Sequence, residues 1–159
     1  MTVRSAPDPA EERPARIIEV GGKEVTDRLA IAECILSTTP EACAQLVAGT
    51  EKGKPIEAAR IAGILAVKRT PDLLPFCHPI AVTGAELAIE PDVATGRIVV
   101  RATVRARDRT GVEMESLTGA AVAALCLYDT AKPFDRAATI SDLRLREKRG
   151  GKSGAYQAP

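Results

Sequence analysis

Residues 85–107 constrain the fold more than any other stretch. Ala85, Leu87 and Ile89 alternate with Glu86, Ala88 and Glu90. After the turn residues Pro91-Asp92 and Thr95-Gly96, Ile98, Val100, Ala102, Val104 and Ala106 alternate with Arg97, Arg101, Thr103, Arg105 and Arg107. A period of two sends each set to its own side of a pleated ribbon. Two such runs joined by turn residues predict an antiparallel hairpin with one apolar and one polar face. The apolar face needs a cover, and 159 residues suffice for one domain with a real core.

Helical segments supply the cover. Thr110 to Lys132 enters with Glu113 and Glu115, leaves with Asp129 and Lys132, and has no charge between. Thr110 and Glu113 have the spacing of a capping box, and acids suit the positive end of a helix. Leu117, Ala121, Leu125 and Tyr128 recur at helical spacing and predict its buried face. Thr39-Pro40 starts an earlier helix that ends near Gly49. Another runs from Pro55 until Pro71 stops it, with Ile61, Leu65 and Lys68 on one face and Ala58, Ala62 and Ala66 keeping it slim. Between Leu73 and Ile80, Pro75 and Pro79 bracket the single histidine, His78, in a stiff extended loop.

The remaining segments are shorter. Ile17–Val20 reads as an edge strand, and Leu143 and Leu145 mark a last strand between Asp142, Arg144 and Arg146. Residues 28–37 fit a strand or a helix, since periodicity does not decide. Residues 1–16 are rich in Pro, Ala and charge and are expected to be disordered. Residues 17–159 then form one domain with a basic, Gly-rich tail from Lys148. The order strand, helices, strand, strand, helix, strand is the split βαβ pattern. It predicts an α+β, ferredoxin-like fold: a four-stranded antiparallel sheet with helices on one face.

Composition excludes several classes. Aromatics are 3%, Trp is absent and net charge is +1, which argues against a nucleic-acid stacking platform or a membrane-binding surface. Cys34, Cys43, Cys77 and Cys126 form no CxxC pair and read as reduced thiols of a cytoplasmic protein. With one His and no ligand pair at metal spacing, no metal site is expected. Neither a signal peptide nor a membrane span is visible.

Chemistry then rests on local clusters. Lys52, Lys54, Lys68, Lys132, Lys148 and Lys152 sit mostly at loops and element ends, and Lys52 and Lys152 have Gly neighbours. A lysine beside a flexible backbone suits a phosphate. Gly151-Lys152-Ser153 resembles the end of a P-loop, but Arg146 stands where the first Gly is required. His78, isolated in a stiff loop, suits proton transfer or substrate contact. Nothing marks Cys77 as a thiolate nucleophile. Asp129 and Lys132 are helix neighbours suited to act as an acid/base pair. Glu115 and Asp129 stand about 21 Å apart along a helix. They can serve one compact site only if the ligand is long or helix ends meet across two subunits.

These segments resemble the cyclic pyranopterin monophosphate synthase family of molybdenum cofactor biosynthesis, the MoaC family, from Ile17 to Gly154. The resemblance lies in Ala59–Ile64 with Lys68, Pro75–Pro79, Gly111–Thr118, Tyr128-Asp129 with Lys132, and Gly150–Gly154, in that order. It implies a lyase that converts (8S)-3′,8-cyclo-7,8-dihydroguanosine 5′-triphosphate to cyclic pyranopterin monophosphate and releases pyrophosphate. It implies a homohexamer, a trimer of dimers with sites at dimer interfaces. Asp129 and Lys132 match catalytic positions, and Lys52, Glu113 and Lys148 match further site positions. Phe76, Cys77, His78, Met114 and Glu115 match substrate contacts. Several cations, Lys52, Lys132, Lys148, Lys152 and Arg28, suit a triphosphate. Glu113 and His78 suit the proton transfers. No cofactor is required, and Mg could accompany the triphosphate. The chain departs from the family pattern at Glu19, Ile31, Lys54-Pro55, Phe76 and Pro133. Those departures motivate one alternative, a non-catalytic paralogue that binds nucleotides or serves as an interaction subunit.

Overall fold

A computed structural model describes residues 14–152 and 154–159. The expected disordered tail falls outside the described residues, except for 14–16. Eight elements follow in order: β1 (Thr26–Ser37), α1 (Pro40–Ala48), α2 (Pro55–Leu73), β2 (Val82–Asp92), β3 (Arg97–Asp108), α3 (Glu113–Ala131), β4 (Thr139–Arg149) and β5 (Tyr156–Gln157). The strands form one antiparallel sheet in the order β2-β3-β1-β4-β5. The architecture is α+β.

The hairpin of β2 and β3 forms as its alternation requires, with Leu87, Ile89, Ile98, Val100 and Ala102 in the core. Residues 28–37 lie in a strand. β1 sits between β3 and β4, so both of its edges find hydrogen-bond partners, and Ala30, Ala32, Cys34 and Leu36 are fully buried. The opposite face of β1 carries Glu33, whose carboxylate meets Arg101, Arg144 and Arg146.

Four expectations need correction. The sheet has five strands among the described residues, not four, because the tail folds back and pairs Tyr156 and Gln157 with Lys148 and Glu147. A two-residue strand carries no period to read. Residues 17–20 form no strand; their apolar side chains Ile17 and Ile18 lie exposed without a neighbouring strand. Pro71 does not stop α2, which runs on to Leu73. Proline's fixed φ is itself helical, and this close to the end it forfeits one bond only. The N–H of Leu74 still closes the last turn on the Thr70 carbonyl at 2.9 Å. Finally, Thr110 does not cap α3. The cap position is Val112, with no side-chain hydrogen bond, and Ser116 Oγ donates to the Glu113 carbonyl at 2.8 Å.

The buried face of α3 is also rotated from that expected, and both long helices turn small residues inward. In α3 the inward residues are Ser116, Ala120, Ala123, Ala124 and Leu127, while Leu125 is 57% exposed. In α2 they are Ala59, Gly63, Ala66, Val67 and Thr70, while Ile61 and Leu65 are exposed by more than half. Small residues face inward because the helices approach closely. A Cβ on Gly63 would stand 2.8 Å from Leu87 Cγ and 2.9 Å from the Gly119 carbonyl oxygen. Larger apolar residues are left on the outer face of the helical layer.

Replacing a helical Gly by Ala ordinarily stabilises by up to about 1 kcal/mol. At Gly63 the new methyl meets backbone, which cannot turn aside, and overpacking costs about 1–3 kcal/mol. Gly63→Ala is therefore expected to lower the thermal unfolding midpoint by several degrees, and a raised midpoint would refute the close approach.

Candidate active site

α3 presents charged groups at both ends. At its C-terminal end, Asp129 holds two lysines. Its Oδ2 lies 2.6 Å from Lys52 Nζ and its Oδ1 lies 2.7 Å from Lys132 Nζ. Lys132 follows the last helical residue, where a cation suits the negative end of the helix. Lys52 arrives on the α1–α2 connection. There Thr50 and Gly53 pair as a bridge, Gly53 adopts φ +99°, and the Lys52 N–H donates to Thr50 Oγ1 at 3.2 Å. The left-handed conformation is the one glycine tolerates, so Gly53 makes the turn that aims Lys52 at α3.

The hydrogen bond from Lys132, and then that from Lys52, hold the Asp129 carboxyl down to about 2. The same hydrogen bond holds the Lys132 ammonium above its ordinary value. All three side chains are about half exposed, so the pairs contribute little to stability. What they secure is position: a carboxylate keeps two like charges side by side. Cavities of about 590 Å³ and about 400 Å³ open beside Lys52 and Lys132, walled by Thr130 and Phe134, and by Tyr128 and Arg136, respectively.

The N-terminal end of α3 carries a second cluster. Glu113 Oε1 lies 3.0 Å from Lys148 Nζ, and both side chains are largely buried. They line a cavity of about 660 Å³ together with Lys23, Thr26, Arg28, Arg109 and Lys152. An adjoining cavity of about 400 Å³ holds Phe76 and His78 and shares Lys23 and Thr110 with the first. Arg28 braces the wall. Its Nε donates to the Asp108 carbonyl at 3.2 Å and its Nη2 to the Arg109 carbonyl at 3.0 Å. Its Nη1 occupies the space where a Cβ on Gly151 would stand, so that residue must be glycine for the guanidinium to pass.

Glu115, two residues further along α3 than Glu113, is 2% exposed. Burial, with the nearby charges of Glu113 and Asp108, pushes its carboxyl up to about 7. Burial and the Glu115 charge also push the Cys77 thiol up, so it is no ready nucleophile. Met114, the residue before Glu115, is 40% exposed at the outer side of the helix.

The candidate residues thus fall into two groups. Lys52, Asp129 and Lys132 meet at one end of α3. Arg28, Phe76, His78, Glu113, Lys148 and Lys152 gather around the two joined cavities at the other. Sixteen residues of helix from Glu113 to Asp129 separate them by about 24 Å. One chain does not bring the two groups together. Lys23, Thr26 and Arg109 escaped the sequence reading, although Lys23 follows Gly21-Gly22 and so has the Gly-flanked setting that marked Lys52 and Lys152.

Open cavities walled by lysines, arginines and carboxylates mark an α+β protein whose clustered cations suit an anionic small molecule. The particular lineage is equally plain. The model of the MoaC family matches residues 17–151, and the chain belongs to that family. It is 48% identical over 150 residues, covering 93% of both chains, to the cyclic pyranopterin monophosphate synthase of Parvibaculum lavamentivorans. It is 50% identical to the synthase so named from Geobacter sulfurreducens, with 90% of each chain covered. The likeness to that of Pelotomaculum thermopropionicum is 45%, covering 92% of this chain and 87% of the relative.

The environment of Glu115 has a consequence for stability. Its folded value of about 7 stands above the ordinary 4.5, so the folded state binds its proton more tightly than the unfolded state. The group's contribution is most favourable below pH 4.5 and is lost as pH rises toward 7. Glu115→Gln should gain stability relative to the parent across that window, on the order of a few kcal/mol by pH 8. Chemical denaturation at pH 5 and pH 8 reads this out, and an equal difference at the two pH values would contradict it.

Proposed function

We propose that this chain is a lyase of molybdenum cofactor biosynthesis that converts (8S)-3′,8-cyclo-7,8-dihydroguanosine 5′-triphosphate to cyclic pyranopterin monophosphate with release of pyrophosphate. Family membership and the names of close relatives support the reaction. The observation that carries the site is Asp129 clasping Lys52 and Lys132 in one exposed cluster. Opening the purine-derived ring and closing the pterin need proton transfers, and closing the cyclic phosphate expels pyrophosphate. Lys132, held protonated by Asp129, is a proton donor and a cation for the departing charge. Lys52 is the second cation, and Asp129 orients both. At the other end of α3, Glu113 and His78 serve proton transfer. Phe76, Cys77, Met114 and Glu115 contact the substrate, and Arg28, Lys148 and Lys152 meet its phosphates. No resident cofactor is invoked; Mg would enter with the triphosphate.

The 24 Å between the two groups supports an active site shared by two subunits, the N-terminal end of one α3 completing the C-terminal end of another. The apolar residues left outward on α2 and α3, Ile61, Leu65 and Leu125, suit such a contact. The assembly we propose is a homohexamer of three dimers. The strand order supports a ferredoxin-like subunit, with β5 as an addition to its edge. Four free cysteines, two of them buried, suit the cytoplasm. Among the described residues no helix is long and apolar enough to cross a membrane. A non-catalytic paralogue is not favoured. The departure at Lys54-Pro55 forms the start of α2 and leaves Lys52 on Asp129.

Turnover of the cyclised nucleotide by the purified protein tests the reaction. Asp129→Ala and Lys132→Ala should each lose at least about a thousandfold in turnover, the scale of removing a group aimed at developing charge. Their far-ultraviolet circular dichroism and unfolding midpoints should match the parent, because these side chains are exposed. Near-parental turnover in both would remove Asp129 and Lys132 from the catalytic site.

A further inference from the structure

The turn that follows α3 holds Lys132 in a conformation that its neighbour opposes. Lys132 closes the helix at φ −54° and ψ −27°, which are helical values, and its N–H donates to the Tyr128 carbonyl at 2.9 Å. Pro133 comes next. The Cδ of a proline crowds the residue before it and pushes that residue out of the helical region toward extended backbone. The N–H groups of Phe134 and Asp135 both return to the Ala131 carbonyl, at 2.8 and 3.0 Å. An extended Lys132 would break both of these bonds. It would also swing Phe134 away from the cavity beside Lys52 and leave the last turn free to fray.

The side chain of Asp135 opposes the proline. Its carboxylate reaches out of the turn to the junction of β1 and α1. There Oδ2 accepts from the Thr38 hydroxyl at 2.8 Å and from the Thr39 N–H at 3.1 Å, while Oδ1 accepts from the Ala137 N–H at 2.8 Å. The first of these bonds is the main cause that holds the Asp135 carboxyl below its ordinary value. The junction itself is fixed. Thr38 donates its N–H to the Gly96 carbonyl at 2.9 Å, and Thr39 Oγ1 caps α1 by accepting from the Ala42 N–H at 3.2 Å. Gly96 has φ +68°, and a Cβ there would collide with the Thr38 carbonyl, so the hairpin turn and the junction lie against each other.

We infer that Asp135 is a positioning residue for the reaction: by mooring the α3–β4 turn to the start of α1, it keeps Lys132 helical against Pro133 and its ammonium on Asp129. The inference rests on the proposed role of Lys132 in turnover, though the mooring itself does not. Asp135 lines neither the cavity beside Lys52 nor the one beside Lys132, so it acts through Lys132 and Phe134 rather than on the substrate. The mooring also joins two segments far apart in the chain. One leads through α1 to Lys52, and the other begins with Lys132. The two lysines that share Asp129 thus sit on segments tied together a second time by Asp135.

The test pairs steady-state kinetics on the cyclised nucleotide with hydrogen exchange at the Lys132 and Phe134 amides of the full chain. Asp135→Ala should lower kcat about tenfold or more, the scale on which a misplaced group costs rate. KM should stay within about threefold, because the loss falls on the transition state. Both amides should exchange about tenfold faster than in the parent, as a locally opened turn does. Asp135→Asn keeps an acceptor for Thr38 and Thr39 and should hold kcat within about threefold of the parent. Pro133→Ala removes the opposing bias. Alone it should leave kcat and exchange as in the parent, and combined with Asp135→Ala it should restore most of both. That rescue separates positioning from general stabilisation, since losing a proline loosens the unfolded chain and does not strengthen the fold. With an active parent, a parental kcat in Asp135→Ala, or a double variant as slow as Asp135→Ala, overturns the inference. If the parent does not turn over the nucleotide, yet exchange rises in Asp135→Ala and falls back in the double variant, the reaction is wrong and the mooring stands. Unchanged exchange in Asp135→Ala overturns the mooring whatever the reaction.

Discussion

The close approach of α2 and α3 at Gly63 and Gly119 is the constraint on which the rest depends. A Cβ on Gly119 would stand 2.7 Å from Val67 Cγ2 and 3.5 Å from the Cβ of Ala102 on the sheet. With Ala120, Ala123 and Ala124 along the same stripe, α3 lies low on β1 and β3. Cores packed to this density deform little. α3 is therefore a fixed rod rather than an adjustable one. Its position places Glu113 beside Lys148 of β4 at one end, and Asp129 beside Lys52 of the α1–α2 connection at the other.

The two ends use the same device in different dielectric settings. In each, a carboxylate holds lysine near a cavity. At the Asp129 end the groups are half exposed, and hydrogen bonds hold the Asp129 carboxyl below its ordinary value and the Lys132 ammonium above its own. At the Glu113 end the pair is largely buried, and Glu115 behind it is held close to neutrality by desolvation. Charged cations at one end and a carboxyl that can titrate near pH 7 at the other are complementary equipment for a reaction combining phosphate chemistry with proton transfer.

Much of the fold was legible in the sequence because it depends on local periodicity and end signals. The hairpin at 85–107 follows from alternation alone. Thr39, Pro40 and Gly49 mark both ends of α1, and Pro55 marks the start of α2. The failures have physical causes. On α3 the face with Leu125 was taken to be buried, but the inner stripe is small and Leu125 is left outside, as Ile61 and Leu65 are on α2. Thr110 has the spacing of a cap, yet the helix begins after it and Glu113 turns to Lys148. Lys52, His78, Glu113, Asp129 and Lys132 stood out in the sequence, and the fold sets them around the two ends of α3. Lys23, Thr26 and Arg109 did not stand out, since only the sheet brings the start of β1, the end of β3 and the end of β4 to one wall. The length of α3, by contrast, could be counted, and it separates the two clusters in space as it does in sequence.

That separation makes active-site sharing between subunits the central claim, and complementation between variants tests it most directly. One parent carries Asp129→Ala, which disables the C-terminal end of α3; the other carries Glu113→Ala, which disables the N-terminal end. Each is inactive alone. Unfolded together and refolded as a mixture, random pairing makes half of the dimers mixed, and each mixed dimer holds one intact site of two. Sharing across a two-fold interface thus predicts recovery of roughly a quarter of the parental activity. A mixture as inactive as its components, with subunit exchange confirmed by mass spectrometry, would contradict it and confine each site to a single chain.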